Sequence, residues 1–454
     1  MIRFWQIIKL YRGFILAGIL TIAVIGMFII GKRSGLQGKN NQDDGNIKFL
    51  SLAWQVEAIT AVREIVNQWN FDHPDQQVEL IQGTWNSVHD YLITGFETGD
   101  IPDIFHYESS IIVDFALRGY LANLAPYINE ELREDIMDVA WSSVTRSDGQ
   151  VIGIPFLAES FIVLYNKRLF KEAGITPPTF DNPWNWHDLQ TAAKKLTHDK
   201  NGNGVIDQWG VAMGLRSGAN LIMNHSIAFG GSYFYKDENN KITVRVSNSE
   251  KELLEIILSL LYRDKTMSPA SIGLSSSGLI PGFIAGKYAM LVGVGAWVRQ
   301  QVIENADESF EWGVSPPLRA QTQLTGLNTQ TFSIPKISKK LISSIAFLHY
   351  LTNKDNMARL AKSDWLMPTR ISCLELPMFN TEPDGWNVVT HSVIFLSSGP
   401  WVGMPGYNEW KTRVANPVFQ ELFANRISLD EAARRIELEG NSVLKRYQMK
   451  GVKW

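Results

Sequence analysis

Glu159 stands alone between two apolar extended runs, Val151–Leu157 and Phe161–Tyr165. An acid placed there is costly unless something pairs with it, and that partner is protein, water or a ligand. A second acid, Glu108, follows the apolar segment Pro102–His106. It either caps the next helix or faces the same space as Glu159. Two such carboxylates could serve a glycosidase. No other catalytic signature accompanies them: the chain lacks G-x-S-x-G, H-E-x-x-H and a P-loop.

A different chemistry is written at DKNGNGVIDQWG, residues 199–210. Asp199, Asn201, Asn203 and Asp207 fall at positions 1, 3, 5 and 9 of a calcium loop, with the Val205 carbonyl at position 7. Position 12, normally a bidentate acid, is Gly210. The loop is either a weak structural calcium site or an Asn/Gly turn that satisfies its own backbone. No cofactor is required by either reading. Cys373 is the only cysteine. An intrachain disulfide, a Cys/His zinc site and a lipid anchor on a cysteine after an N-terminal apolar segment are therefore excluded, and Cys373 reads as a small apolar filler.

The elements that must position these residues alternate. Ile47–Ala53, Val78–Ile81 and Pro102–His106 read as strands, separated by helices over Ala58–Trp69 and Val88–Glu97. Further helices are predicted near Asp188–Leu196, Glu250–Tyr262, Leu341–Leu351, Pro417–Ala424 and Leu429–Lys445, with a strand at Lys287–Val292. This order predicts an α/β protein with a parallel sheet, whose ligands lie beyond the strand ends. Trp54, Glu108 and the segment Gly295–Trp297 all sit there.

Charge is unevenly placed. Residues 1–45 hold six Lys/Arg against two Asp, a net of +4, which leaves −7 on the remainder of a chain whose total is −3. An acidic body argues against nucleic acid as a partner. Residues 1–12 read as a basic cytoplasmic segment, and Gly13–Gly31 as an uncharged run of 19 residues. At ~1.5 Å per residue such a run spans ~28 Å, the thickness of a bilayer core. With no A-x-A-like site at its end, it reads as an uncleaved transmembrane signal anchor, and residues 32–46 as a flexible polar tether. The body is then expected on the extracytoplasmic face of the plasma membrane.

Several segments, in order, carry a resemblance: YLITGFETGDIPDIFHYES, GYLANLAPYI, DGQVIGIPFLAESFIVLYNKRLFKEAGITPP, WNWHDLQTAAKKLT, FIAGKYAMLVGVGAW, SIPKIS and LMPTR. They resemble the extracellular solute-binding proteins of ABC importers, specifically the carbohydrate-binding, maltose-binding-protein-like cluster. The resemblance covers nearly all of residues 47–445. It implies a two-lobed periplasmic-binding-protein-like α/β fold of the class II type, with hinge strands near Pro155–Phe161 and Leu324–Phe332. Lobe 1 is expected at 47–156 plus 279–325, and lobe 2 at 160–278 plus 332–454.

The same resemblance implies a sugar held in the interlobe cleft by hinge closure and handed to permease subunits with their ATPase. A sugar offers hydroxyls at its edge and C–H groups on its faces, so its binder needs carboxylates and flat aromatic rings. The matching positions are Trp54, Glu108, Glu159 and Trp297. Trp401 and Tyr407 sit in a Gly/Pro-rich segment that could close over the cleft or simply pin itself down, and Arg370 follows Met-Pro-Thr. Trp69, Trp141, Trp312 and Trp386 are expected as core or surface-packing residues. A membrane-anchored sugar sensor is the rival function, although 12 residues before the span leave no room for an output domain.

Overall fold

The computed structural model describes residues 45–238 and 241–449. The expected membrane span and most of its tether lie outside the described residues. Among the described residues no helix is long and apolar enough to cross a membrane.

The strands, in chain order, are β1 (Ile47–Ser51), β2 (Val78–Gln82), β3 (Ile104–Glu108), β4 (Ile154–Glu159), β5 (Phe161–Asn166), β6 (Trp209–Met213), β7 (Phe234–Lys236), β8 (Ile242–Val244), β9 (Tyr288–Gly295), β10 (Trp312–Ser315), β11 (Thr325–Ser333), β12 (Met367–Pro368) and β13 (Leu396–Ser398). The first sheet runs β12-β4-β11-β3-β1-β2, with β13 added beside the start of β11. Its β1, β2 and β3 are parallel, as the alternating pattern predicts, and helices Val56–Asp72 and Val88–Thr98 make the crossovers. β11 pairs antiparallel with both β3 and β4, and β12 antiparallel with β4, so the sheet is mixed. The second sheet is β10-β5-β9-β6, also mixed.

A single residue, Ser160, separates β4 of the first sheet from β5 of the second. This is the crossing expected near Pro155–Phe161. The chain returns between β10 and β11, and crosses again after β13.

The lobe boundaries need correction. The segment 279–325 belongs with the second sheet, because β9 pairs with both β5 and β6, and β10 pairs with β5. Residues from Phe332 to the end of β12 belong with the first, where Phe332 pairs with His106 and Ile154. The reason is physical. All eight residues of β9 are buried, which marks a central strand but does not say of which sheet. Lobe 1 is thus about 47–159 plus 325–398, and lobe 2 about 160–324 plus 399–449.

One apolar cluster surrounds Phe49, Phe105 and Phe332 and continues through the hinge to Ile162, Leu291 and Val298. Another surrounds Phe229, Leu254, Trp410 and Phe419 in lobe 2. Trp69, Trp141, Trp312 and Trp386 are buried, as expected of core residues.

Candidate ligand cleft

Glu159 ends β4 at the crossing and faces the space between the lobes. Trp297 donates its indole N–H to Glu159 Oε1 at 3.0 Å. Asn328 of β11, the register partner of Glu159, gives a second hydrogen bond to the same carboxylate. Burial, then the nearby Glu108 carboxylate, push the Glu159 pKa up to about 7 against those two donors. Glu108 sits at the start of helix Ser109–Leu117, yet its side chain does not cap that helix. It accepts instead from the Ser110 hydroxyl at 3.2 Å.

Ser110, Glu159, Phe161, Asn220, Asn224, Asn328, Trp401 and Tyr407 line a pocket with room for about 10 Å³, and Trp297 and Glu108 stand beside it, bonded to Glu159 and Ser110. That is far below the ~300 Å³ where small-molecule pockets usually begin, so the lobes are drawn together. Two larger grooves, of about 190 and 360 Å³, hold no buried acid. The polar convergence expected of a binding site is at Glu159.

The aromatic rings occupy two sides of this space. Trp54 is 45% exposed and meets Trp297 edge-on, with ring centres 5.4 Å apart. Trp401 and Tyr407 are buried and stack at 6.2 Å. The Tyr407 hydroxyl donates to Asn220 Oδ1 at 2.9 Å. Trp401 is seated by a glycine: a Cβ at Gly326 would lie 2.7 Å from Trp401 Cη2 and 2.2 Å from Asn224 Oδ1. Asn224 Oδ1 is itself buried without a hydrogen-bond partner.

Of the residues the sequence singles out, six converge: Trp54, Glu108, Glu159, Trp297, Trp401 and Tyr407. Arg370 does not join them. It lies beyond β12, where its guanidinium donates to Glu131 and Asp135, each at 2.8 Å, and to the Thr352 carbonyl at 2.7 Å. Those partners hold lobe 1 together and leave Arg370 no part in the cleft. The amides Asn220, Asn224 and Asn328 escaped the sequence reading. A spacing signal existed for two of them, since Asn220 and Asn224 lie four apart on helix Ala219–Ser226, shortly after β6.

Behind the cleft, Asp364 is 4% exposed and its Oδ1 has no hydrogen-bond partner. Burial first, and the Glu159 charge second, raise its pKa to about 8. His106 is fixed as a neutral ring, taking the Leu52 N–H on Nδ1 and meeting Gln330 Oε1 at 2.7 Å through Nε2. Burial lowers its pKa to about 3.

In the Asp199–Asp207 loop, both Asp199 oxygens accept backbone N–H groups, from Gly202, Asn203 and Gly204. Asn201 and Asn203 accept from Asn203 and Val205 in turn, and Asp207 from Lys200. Position 12 has no room for an acid: a Cβ on Gly210 would lie 2.3 Å from the Ala193 carbonyl oxygen.

Residues 53–358 match the sequence profile of the bacterial extracellular solute-binding proteins. The chain belongs to that family. An uncharacterized lipoprotein from the oleD 5′ region of Streptomyces antibioticus is 35% identical over 414 residues, 90% of this chain and 89% of that one. The arabinooligosaccharide-binding protein of Bacillus subtilis is 24% identical over 297 residues, covering 63% and 65% of the two chains. Among solved structures, an ABC substrate-binding protein of Listeria monocytogenes in complex with cycloalternan superposes with a TM-score of 0.73 at 23% identity, over 90% of this chain and 99% of that one. The solute-binding protein described here therefore has the two-lobed fold of its family. Membership also makes it a binder rather than a hydrolase, which removes the glycosidase reading of Glu108 and Glu159.

Proposed function

We propose that this solute-binding protein takes up a sugar, of di- or oligosaccharide size or a glycoside, between its lobes and delivers it to an ABC permease and its ATPase. The observation that carries the reading is the cleft itself. A carboxylate at the hinge is held by an indole N–H and an amide, with Ser110, Asn220 and Asn224 and five aromatic rings around it. That set matches alternating hydroxyls and C–H faces better than the charge of a polyamine or phosphate ester. The arabinooligosaccharide-binding relative and the cycloalternan-bound neighbour support the same class.

Binding selects the closed arrangement by making contacts to both lobes at once. Lobe 1 supplies Trp54, Glu108, Ser110, Glu159 and Asn328, while lobe 2 supplies Trp297, Asn220, Asn224, Trp401 and Tyr407. The protein is proposed to work outside the cytoplasm, held to the membrane through Gly13–Gly31. The Streptomyces relative is described as a lipoprotein; here the only cysteine is the buried Cys373, so anchoring is assigned to the apolar run.

Calcium enters this reading as a weak structural ion at most. Asp199, Asn201, Asn203, Asp207 and the Val205 carbonyl would hold it, without the position-12 acid that Gly210 cannot become.

Thermal-shift screening against sugars, amino acids, polyamines and phosphate esters tests the assignment. A ligand at 100 times its dissociation constant stabilises by ~2.7 kcal/mol. A shift given only by a non-sugar class contradicts it.

A further inference from the structure

We propose that Asp114 is a positioning residue that tethers the aromatic segment Gly399–Tyr407 of lobe 2 to lobe 1, and so sets sugar affinity without lining the pocket. The inference rests on the functional reading above, because the segment carries Trp401 and Tyr407.

Asp114 lies on helix Ser109–Leu117, one turn after Ser110, which does line the pocket. The helix belongs to lobe 1, with Ile112 and Phe115 in its core. Asp114 Oδ1 accepts the backbone N–H of Gly406 at 3.1 Å. Gly406 belongs to the other lobe, immediately before Tyr407 and Trp410 of the second core. This is a charge-assisted hydrogen bond across the mouth of the cleft, from a side chain to a backbone group.

The receiving end is built for one geometry. Gly406 has φ +76°, in the left-handed region. A Cβ there would also lie 2.8 Å from the Tyr447 ring. With φ and packing both fixed, the N–H of Gly406 has one direction, and it points at Asp114. Tyr407 follows directly, bonded to Asn220 and stacked on Trp401. Restraining Gly406 therefore restrains both rings. Arg118, the C-cap of the same helix, and Glu409, on the helix that Gly406 begins, are the charged groups that act on the carboxylate.

A tether of this kind acts on the closed state. Its loss leaves the pocket residues intact and lets the segment leave sooner, so the dissociation rate rises more than the association rate falls.

The test uses the full chain in mild detergent, as wild type, Asp114→Ala and Asp114→Asn. The readouts are hydrogen exchange across 399–407 without sugar, and binding kinetics with arabinotriose and cycloalternan as probes. We expect Asp114→Ala to exchange about tenfold faster in that segment and to bind about tenfold more weakly through its off-rate. Asp114→Asn, which keeps an oxygen acceptor, should stay within about threefold of wild type. If alanine does not fold, Asp114→Ser, too short to reach Gly406, replaces it. Unchanged exchange, or faster exchange with unchanged affinity, overturns the proposal, as does an asparagine variant as impaired as alanine. A wild type that binds neither sugar contradicts the functional reading instead, and the exchange result then decides the tether on its own.

Discussion

The indole N–H of Trp297 meets the carboxylate of Glu159 at 3.0 Å, joining residues 138 positions apart in sequence at the crossing between the lobes. Asn328 gives the same carboxylate a second hydrogen bond, yet burial and Glu108 still push its pKa up. A group in that condition gains from a hydroxyl that a ligand brings.

Replacing Glu159 by glutamine removes the charge and keeps the shape. We expect Glu159→Gln to weaken sugar binding roughly tenfold or more, consistent with ~1.5–3 kcal/mol for a hydrogen bond to a charged group. The unliganded protein should be no less stable, since a penalised carboxylate has been removed. Titration calorimetry and thermal melts check both. A large stability loss with unchanged affinity would mark Glu159 as structural.

Acidity should move stability and affinity in opposite directions. Glu159 is raised to about 7 and Asp364 to about 8, both first by burial. The folded state therefore binds protons that the unfolded state has released, from the ordinary carboxylate range up to those values. Stability of the unliganded protein is then greatest at the acid end of that window, and falls as pH rises through 7 to 8. A sugar hydroxyl donating to ionised Glu159 should bind more tightly over the same rise. Melting and calorimetry at pH 5.5 and 8.5 report the two signs; Glu159→Gln should flatten the affinity change and reduce the stability change, leaving the part that Asp364 contributes.

Gly326 offers a packing test. A methyl there meets Asn224 and the Trp401 ring together, so Gly326→Ala must displace one of them. We expect affinity to fall by about tenfold or more, and Trp401 fluorescence to shift toward a wetter environment. Overpacking of this kind costs typically ~1–3 kcal/mol.

Arg370→Ala should do the reverse. Removing a buried guanidinium that holds Glu131, Asp135 and Thr352 costs about 3 kcal/mol of stability. Sugar affinity should be unchanged in the folded fraction, as denaturant melts and calorimetry would show.

Much of this was legible in the sequence because it depends on local pattern. The strands and helices up to β3 follow from periodicity, while the crossing near Glu159 followed from the family resemblance. The lobe membership of β9 did not, since an all-apolar strand fits the centre of any sheet and its partners lie far away in sequence. The cleft amides were missed for a related reason. The i, i+4 spacing of Asn220 and Asn224 does not by itself say that the pair faces a ligand, and Asn328 reaches Glu159 only through the β4–β11 register. Arg370 failed as a ligand group because the acids that claim it, Glu131 and Asp135, lie on a helix more than 230 residues earlier.

Titration calorimetry of arabinooligosaccharides and cycloalternan into the wild-type protein and Glu159→Gln tests the central claim most directly. The account predicts one sugar bound per chain by the wild type, and a binding constant at least about tenfold weaker for the variant. Binding of equal strength by both proteins, or a solute of another class bound where no sugar is, would contradict it.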